Sequence, residues 1–141
     1  MLTLSVSNLR RVLWLDAVSG VGLALAHVGL SDLLHRWLGL PASWLGVSGA
    51  IVLGAALLAG SLAARAAPPR WGVRLLAAGN LLWVVASAWV VWGAGLVLTP
   101  WGEVWVLAQA AFVLLLAELQ WWGSRPARHN LATAVAVSAA R

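Results

Sequence analysis

The chain runs without a charged side chain from Trp44 to Ala64, and again from Leu75 to Leu98. A helix needs about 20 mostly apolar residues to cross a hydrocarbon core of roughly 30 Å. Two further segments meet that length. Residues 12–30 are interrupted by Asp16 and His27, and residues 104–122 carry Glu118. The pattern predicts an all-α integral membrane protein, a bundle of four transmembrane helices joined by short loops. The spans fall at about 12–30, 44–64, 75–98 and 104–122. They form one domain over 1–123, followed by a polar, then Ala/Val-rich tail at 124–141 that is too short to span. Proline marks the joints, at Pro41, Pro68-Pro69, Pro100 and Pro126, where it starts or stops helices.

Composition agrees. Of 141 residues, 62% are hydrophobic and 9% charged, against about a quarter charged in a usual soluble domain. The mean hydropathy is +0.91. So few charges cannot cover a soluble surface, so a nucleic-acid partner is excluded despite the high pI. The basic balance is a matter of topology. Arg10 and Arg11 precede the first span. Arg65, Arg70 and Arg74 lie between spans two and three, and Arg125, Arg128 and Arg141 follow the fourth. The opposite side has Arg36, Asp32 and Glu103. Arginine-rich short loops stay in the cytoplasm, so both termini are expected there, in a bacterial inner membrane. Arg10, Arg11 and Ala24-Leu25-Ala26 resemble a cleavable signal peptide, but Asp16 interrupts its apolar region. The segment is read as a retained first helix.

The eleven tryptophans support the layout. Trp14, Trp71, Trp121 and Trp122 fall at the cytoplasmic interface. Trp37, Trp44, Trp92, Trp101 and Trp105 fall at the periplasmic one, where indoles favour the headgroup level. Only Trp83 and Trp89 sit deeper, where stacking on a pigment or quinone is the alternative to packing. Residues 31–43 fit a short helix on the periplasmic surface.

Small-residue rows allow close helix approach, which matters where lipid gives no hydrophobic reward for association. They are Ala50-x3-Gly54 and Ala56-x3-Gly60-x3-Ala64 in the second span, and Ser19, Gly22, Ala26 and Gly29 in the first. They serve packing within the chain or a homo-oligomer.

Polar groups inside a bilayer are costly and ask for partners. Asp16, Asn80 and Glu118 lie about 6–8 Å inside the cytoplasmic ends of three spans, at 1.5 Å per residue. They are expected to converge on the bundle axis, with Arg10, Arg11 or Arg74 reaching down as charge partners. The cluster reads either as interhelical glue or as a proton- or cation-binding site. In the outer half, His27 and Gln109 lie at similar depths. Asp16, Gly20, Ala24, His27 and Ser31 form one helical stripe.

No cofactor or catalytic residue is expected. Haem would want two intramembrane ligands, and only His27 qualifies. Asp32-x2-His35, with His27 and Glu103, lacks a metal-site spacing. There is no cysteine, and no nucleophile triad, phosphate loop or HExxH pattern.

Residues 10–20 read Arg-Arg-Val-Leu-Trp-Leu-Asp-Ala-Val-Ser-Gly, and residues 38–41 Leu-Gly-Leu-Pro. Residues 79–87 read Gly-Asn-Leu-Leu-Trp-Val-Val-Ala-Ser, and residues 116–120 Leu-Ala-Glu-Leu-Gln. On these pieces the chain, over about 9–123, resembles a group of small bacterial four-helix inner-membrane proteins with no assigned activity. The resemblance implies the fold and no catalytic residue. It does not extend to the small multidrug exporters, whose first helix carries a membrane-central Glu.

Two functions follow as expectations. One is a structural or accessory membrane protein, a subunit of a larger membrane complex. The other is a small transporter or ligand-binding protein that uses Asp16, Asn80 and Glu118.

Overall fold

The structure, a computed structural model, describes residues 5–125; the expected tail beyond Arg125, with Arg128, His129 and Arg141, lies outside them. The described chain is all-helical: α1 (Val6–Gly29), α2 (Ser31–Leu38), α3 (Ala42–Ala63), α4 (Arg70–Trp92) and α5 (Pro100–Gly123). Four of these, all but α2, are long and apolar enough to cross a membrane. The bundle therefore has one end with the N-terminal start of α1, the α3–α4 loop and the C-terminal end of α5. The other end carries α2 and the α4–α5 loop.

Local signals set the boundaries. The Ser5 hydroxyl caps α1 by accepting from the Asn8 N–H at 3.2 Å, so the helix begins well before the expected residue 12 and takes Arg10 and Arg11 into its first turns. Thr99 caps α5, accepting from the Gly102 N–H at 3.0 Å, with Pro100 at the first helical position. The expected surface helix in 31–43 is α2. Asp32 lies in its first turn, and His35 and Arg36 in its last; the charges of Asp32 and Arg36 match the helix dipole.

Beyond the earlier starts of α1, α4 and α5, two features differ from the sequence reading. The third span was expected to reach Leu98, but α4 stops at Trp92. Gly93 follows it, and Gly95 takes φ +66°, which ends the helix although the chain stays apolar. Residues 94–99 then run back toward α2. Leu96 and Leu98 pack with Leu38, Leu40, Leu45 and Val106. Thr99 donates its N–H to the Leu38 carbonyl at 3.1 Å and its hydroxyl to the Trp37 carbonyl at 2.7 Å. Gly39, at φ +74°, sits where a Cβ would lie 2.6 Å from the Val97 carbonyl oxygen. Only glycine fits both the backbone and the gap.

The second difference is which small residues pack. α1 and α3 lie closely side by side. A Cβ on Gly20 would stand 2.9 Å from the Ala56 Cβ, and one on Gly49 would meet His27 Cβ at 3.2 Å and the Ala24 carbonyl at 3.3 Å. Gly60 faces Ala17. The stripe Gly20–Ala24–His27 is thus the packing face of α1. The row of Ser19, Gly22, Ala26 and Gly29 is not, because Gly22 and Gly29 turn outward into open space. On α3 the Ala56/Gly60 row faces inward, while Ala50 and Gly54 are exposed.

α4 pairs with α5 as α1 pairs with α3. α3 and α4 pack near their connecting loop, where Ala59, Leu62 and Ala63 join Val73, Leu76, Leu9 and Leu13 in one buried cluster. Toward the α2 end the stacked rings of Trp44 and Trp89 join them, and both helices line a gap in between. The outer surface of the bundle is apolar, with Val18, Leu25, Leu57, Leu82 and Val85 each more than half exposed, as a lipid-facing surface requires.

Candidate functional site

Buried polar side chains collect at two levels. At the level nearer the termini, Asn80 of α4 donates its Nδ2 to Asp16 Oδ2 of α1 at 2.9 Å and to Gln120 Oε1 of α5 at 3.2 Å. Gln120 Nε2 donates to the same Asp16 oxygen at 2.5 Å. One carboxylate and two amides so tie three helices, and all three residues are buried. The three side chains thus form a triangle of hydrogen bonds in which each is joined to the other two.

Asp16 and Asn80 come together as their depths suggested. Glu118 does not join them; it is exposed on the outer side of α5. At about 100° per residue, Glu118 points some 200° away from Gln120. The buried face of α5 is Val106, Ala110, Ala117 and Gln120, so Gln120 takes the inward position. A small Ala three residues earlier on the same face was the available signal.

The arginines do not reach the carboxylate. Arg10 Nε donates to the Ala63 carbonyl at 2.9 Å, at the C-terminal end of α3 where carbonyls lack helical partners. Arg74 Nε lies 3.4 Å from Ser124 Oγ. Arg11 is exposed. Asp16 is therefore held by amides, and the expected guanidinium pairing gives way to arginines that close helix ends.

The second level is an apolar cavity of about 490 Å³, formed between α3 and α4 and closed behind by α1 and α5. Its floor includes Leu40, Leu45 and Val106, and its rim carries the exposed Val47, Ile51 and Ala86. Across the mouth, Trp44 of α3 stacks on Trp89 of α4, with ring centroids 5.7 Å apart and planes 11° from parallel. His27 and Gln109, expected at similar depths, both line the cavity. His27 is 2% exposed; its Nδ1 lies 2.8 Å from Ser48 Oγ.

Three buried side-chain atoms in the described residues have no hydrogen-bond partner: His27 Nε2, Trp83 Nε1 and Gln109 Oε1. All three belong to residues that line this one cavity. An unmet buried polar atom costs about 1–3 kcal/mol, so three at one place form a concentrated binding potential. Trp83 and Ser48 were not singled out as polar partners from the sequence. The spacing Asn80, Trp83, Ser87 places polar atoms along one face of α4 and was the signal for Trp83.

The wall carries no Asp, Glu, Lys or Arg. No group of three His, Asp or Glu able to hold a metal ion is found among the described residues, and His35 Nδ1 is occupied by the Leu40 carbonyl at 2.7 Å. The arrangement suits an uncharged, mainly apolar molecule fixed by a few hydrogen bonds. Comparison with protein-family models, with curated proteins and with solved structures finds no match to the chain.

Proposed function

We propose that this is a small multi-pass protein of a bacterial inner membrane, with both termini in the cytoplasm, that binds an uncharged lipid-soluble molecule in the cavity between α3 and α4. The observation that carries the reading is the coincidence of all three unmet buried side-chain atoms with the residues of one cavity. Of the two expected classes this favours ligand binding, with the site moved from the Asp16 level to the His27 level. The Asp16–Asn80–Gln120 knot serves as the structural tie beneath it, since its three side chains are bonded to one another across three helices.

The test is purification of the full chain from membranes in a mild detergent, followed by solvent extraction and mass spectrometry. A lipid-soluble compound near one equivalent per chain is expected. It should be lost from Ile51→Trp, whose indole would intrude at the cavity rim. Absence of any such compound in the parent protein refutes the reading.

One observation favours the accessory-subunit alternative. Gly46, Ala50 and Gly54 recur every fourth residue on the outward side of α3, and a Cβ on Gly46 or Gly54 would meet nothing within 4 Å. Another helix could approach closely there. A stable partner chain in the same purification, without a bound compound, supports that alternative.

A further inference from the structure

The cavity wall also dictates which polar groups an occupant must carry, a step that rests on the ligand-binding reading above. The Ser48 hydroxyl has a single proton, and donates it to the Leu45 carbonyl at 2.9 Å. The same oxygen lies 2.8 Å from His27 Nδ1, and both contacts are hydrogen bonds together only in the tautomer whose Nδ1–H donates to Ser48. In the uncharged ring this leaves Nε2 as a bare acceptor. Gln109 Oε1 is a second acceptor, and Trp83 Nε1–H is only a donor. Among its fully buried atoms the wall thus offers two unmet acceptors and one unmet donor.

That inventory sorts ligand classes. A carboxylate or phosphate would be buried with no cation in the wall, and an ammonium with no carboxylate; either is strongly disfavoured. A quinone, ketone or ester brings acceptors only; it can pair with Trp83 Nε1–H or the Gln109 amide N–H but leaves the buried His27 Nε2 unmet. A hydroxyl both donates and accepts, and so answers the two kinds of group together. We infer that the cavity takes an uncharged lipid-soluble molecule bearing a hydroxyl. Its O–H is donated to His27 Nε2, and its oxygen accepts from Trp83 Nε1–H. Gln109 Oε1 takes a second donor when the molecule has one. All three atoms are covered by neighbouring side chains. Ser48 holds the imidazole while the indole and the amide turn to admit the ligand.

A phenol and an aliphatic alcohol share this chemistry, and matched pairs of probes separate them. The full chain, labelled with 5-fluorotryptophan and reconstituted in lipid nanodiscs, is titrated with 4-hexylphenol against 4-hexylanisole, and with 1-octanol against its methyl ether. Concentrations are expressed as mole fraction in lipid. The Trp83 and Trp89 fluorine resonances, assigned by Trp→Phe substitution, report occupancy. In at least one pair the hydroxyl compound should bind roughly tenfold tighter or more than its ether, the range of one stranded hydrogen-bonding group. The pair that discriminates identifies the source as aromatic or aliphatic. With ¹⁵N-histidine, the same titration should move the His27 Nε2 resonance toward its hydrogen-bonded position.

His27→Phe should bring the ratio close to one. If that variant fails to fold, Ser48→Ala, which releases the ring, should lower the ratio severalfold. Equal binding of hydroxyl compound and ether by the parent protein overturns the hydroxyl assignment and leaves ligand binding intact. No shift with any of the four probes overturns the assignment together with the cavity reading beneath it.

Discussion

Replacing Asp16 tests whether the knot between α1, α4 and α5 holds the bundle together. Asp16 Oδ2 accepts from both Asn80 Nδ2 and Gln120 Nε2. In Asp16→Asn the amide oxygen can occupy the same place and accept both bonds. In Asp16→Leu no acceptor remains and two buried donors lose it. Interhelical hydrogen bonds in membrane proteins average about 0.6 kcal/mol by double-mutant cycles, which puts the lower bound for two bonds near 1.2 kcal/mol. Two donors stranded outright would cost about 2–6 kcal/mol. Asn80 keeps its contact with Gln120 Oε1 at 3.2 Å, which relieves part of that. We therefore expect Asp16→Leu to lose about 2–4 kcal/mol, from the same per-group cost, and Asp16→Asn less than half as much. Reversible unfolding in mixed micelles, followed by tryptophan fluorescence, measures both. Equal stability of the Leu variant and the parent, or a Leu variant more stable than the Asn variant, would refute the reasoning.

Three further outcomes can be checked directly. Gln120→Leu should destabilise by about 1–3 kcal/mol because it removes one hydrogen-bond partner each from Asn80 and Asp16, whereas Glu118→Gln, on the exposed side of α5, should stay within about 0.5 kcal/mol of the parent in the same unfolding assay. Gly20→Leu should push α1 from α3, since a Cβ alone would already stand 2.9 Å from the Ala56 Cβ. A loss of about 1–3 kcal/mol is expected for such overpacking, and an unchanged unfolding midpoint would contradict the close approach. Reporter fusions at residue 66 and at the C-terminus should be cytoplasmic, and fusions at residues 35 and 102 periplasmic; a periplasmic C-terminus would reverse the proposed orientation.

The helices were legible because hydropathy and length decide them. The apolar runs at 44–64 and 75–98 mark α3 and most of α4 without reference to packing. Helix ends were less so. Window hydropathy does not register that Gly93 and Gly95 stop a helix while Leu96, Val97 and Leu98 keep the segment apolar. The polar knot was half legible. Depth along each span pointed to Asp16 and Asn80, but depth has no angular component, and a charged Glu118 drew notice from the neutral Gln120 two residues on. Phase against the buried Ala110 and Ala117 decides between them. The cavity was not legible at all. It lies between α3 and α4, which touch at Leu62 and Gly72 and again through the rings of Trp44 and Trp89, a gap that no single helix encodes. His27 and Gln109 were noticed for being polar at one depth, and the space between them belongs to the assembled bundle.

The cavity has exposed lining residues, Val47, Ile51 and Ala86 among them, within the apolar lengths of α3 and α4. On the proposed placement in a bilayer, its supply is the hydrocarbon phase. A compound that partitions a thousandfold into lipid is present there at about millimolar when the water holds micromolar. A site facing that reservoir works with a standard free energy of about 4 kcal/mol, where a water-facing site would need about 8. One or two hydrogen bonds in an otherwise apolar wall are enough for such a task. Small polar features can therefore decide selectivity here, while partitioning into the membrane provides the occupancy.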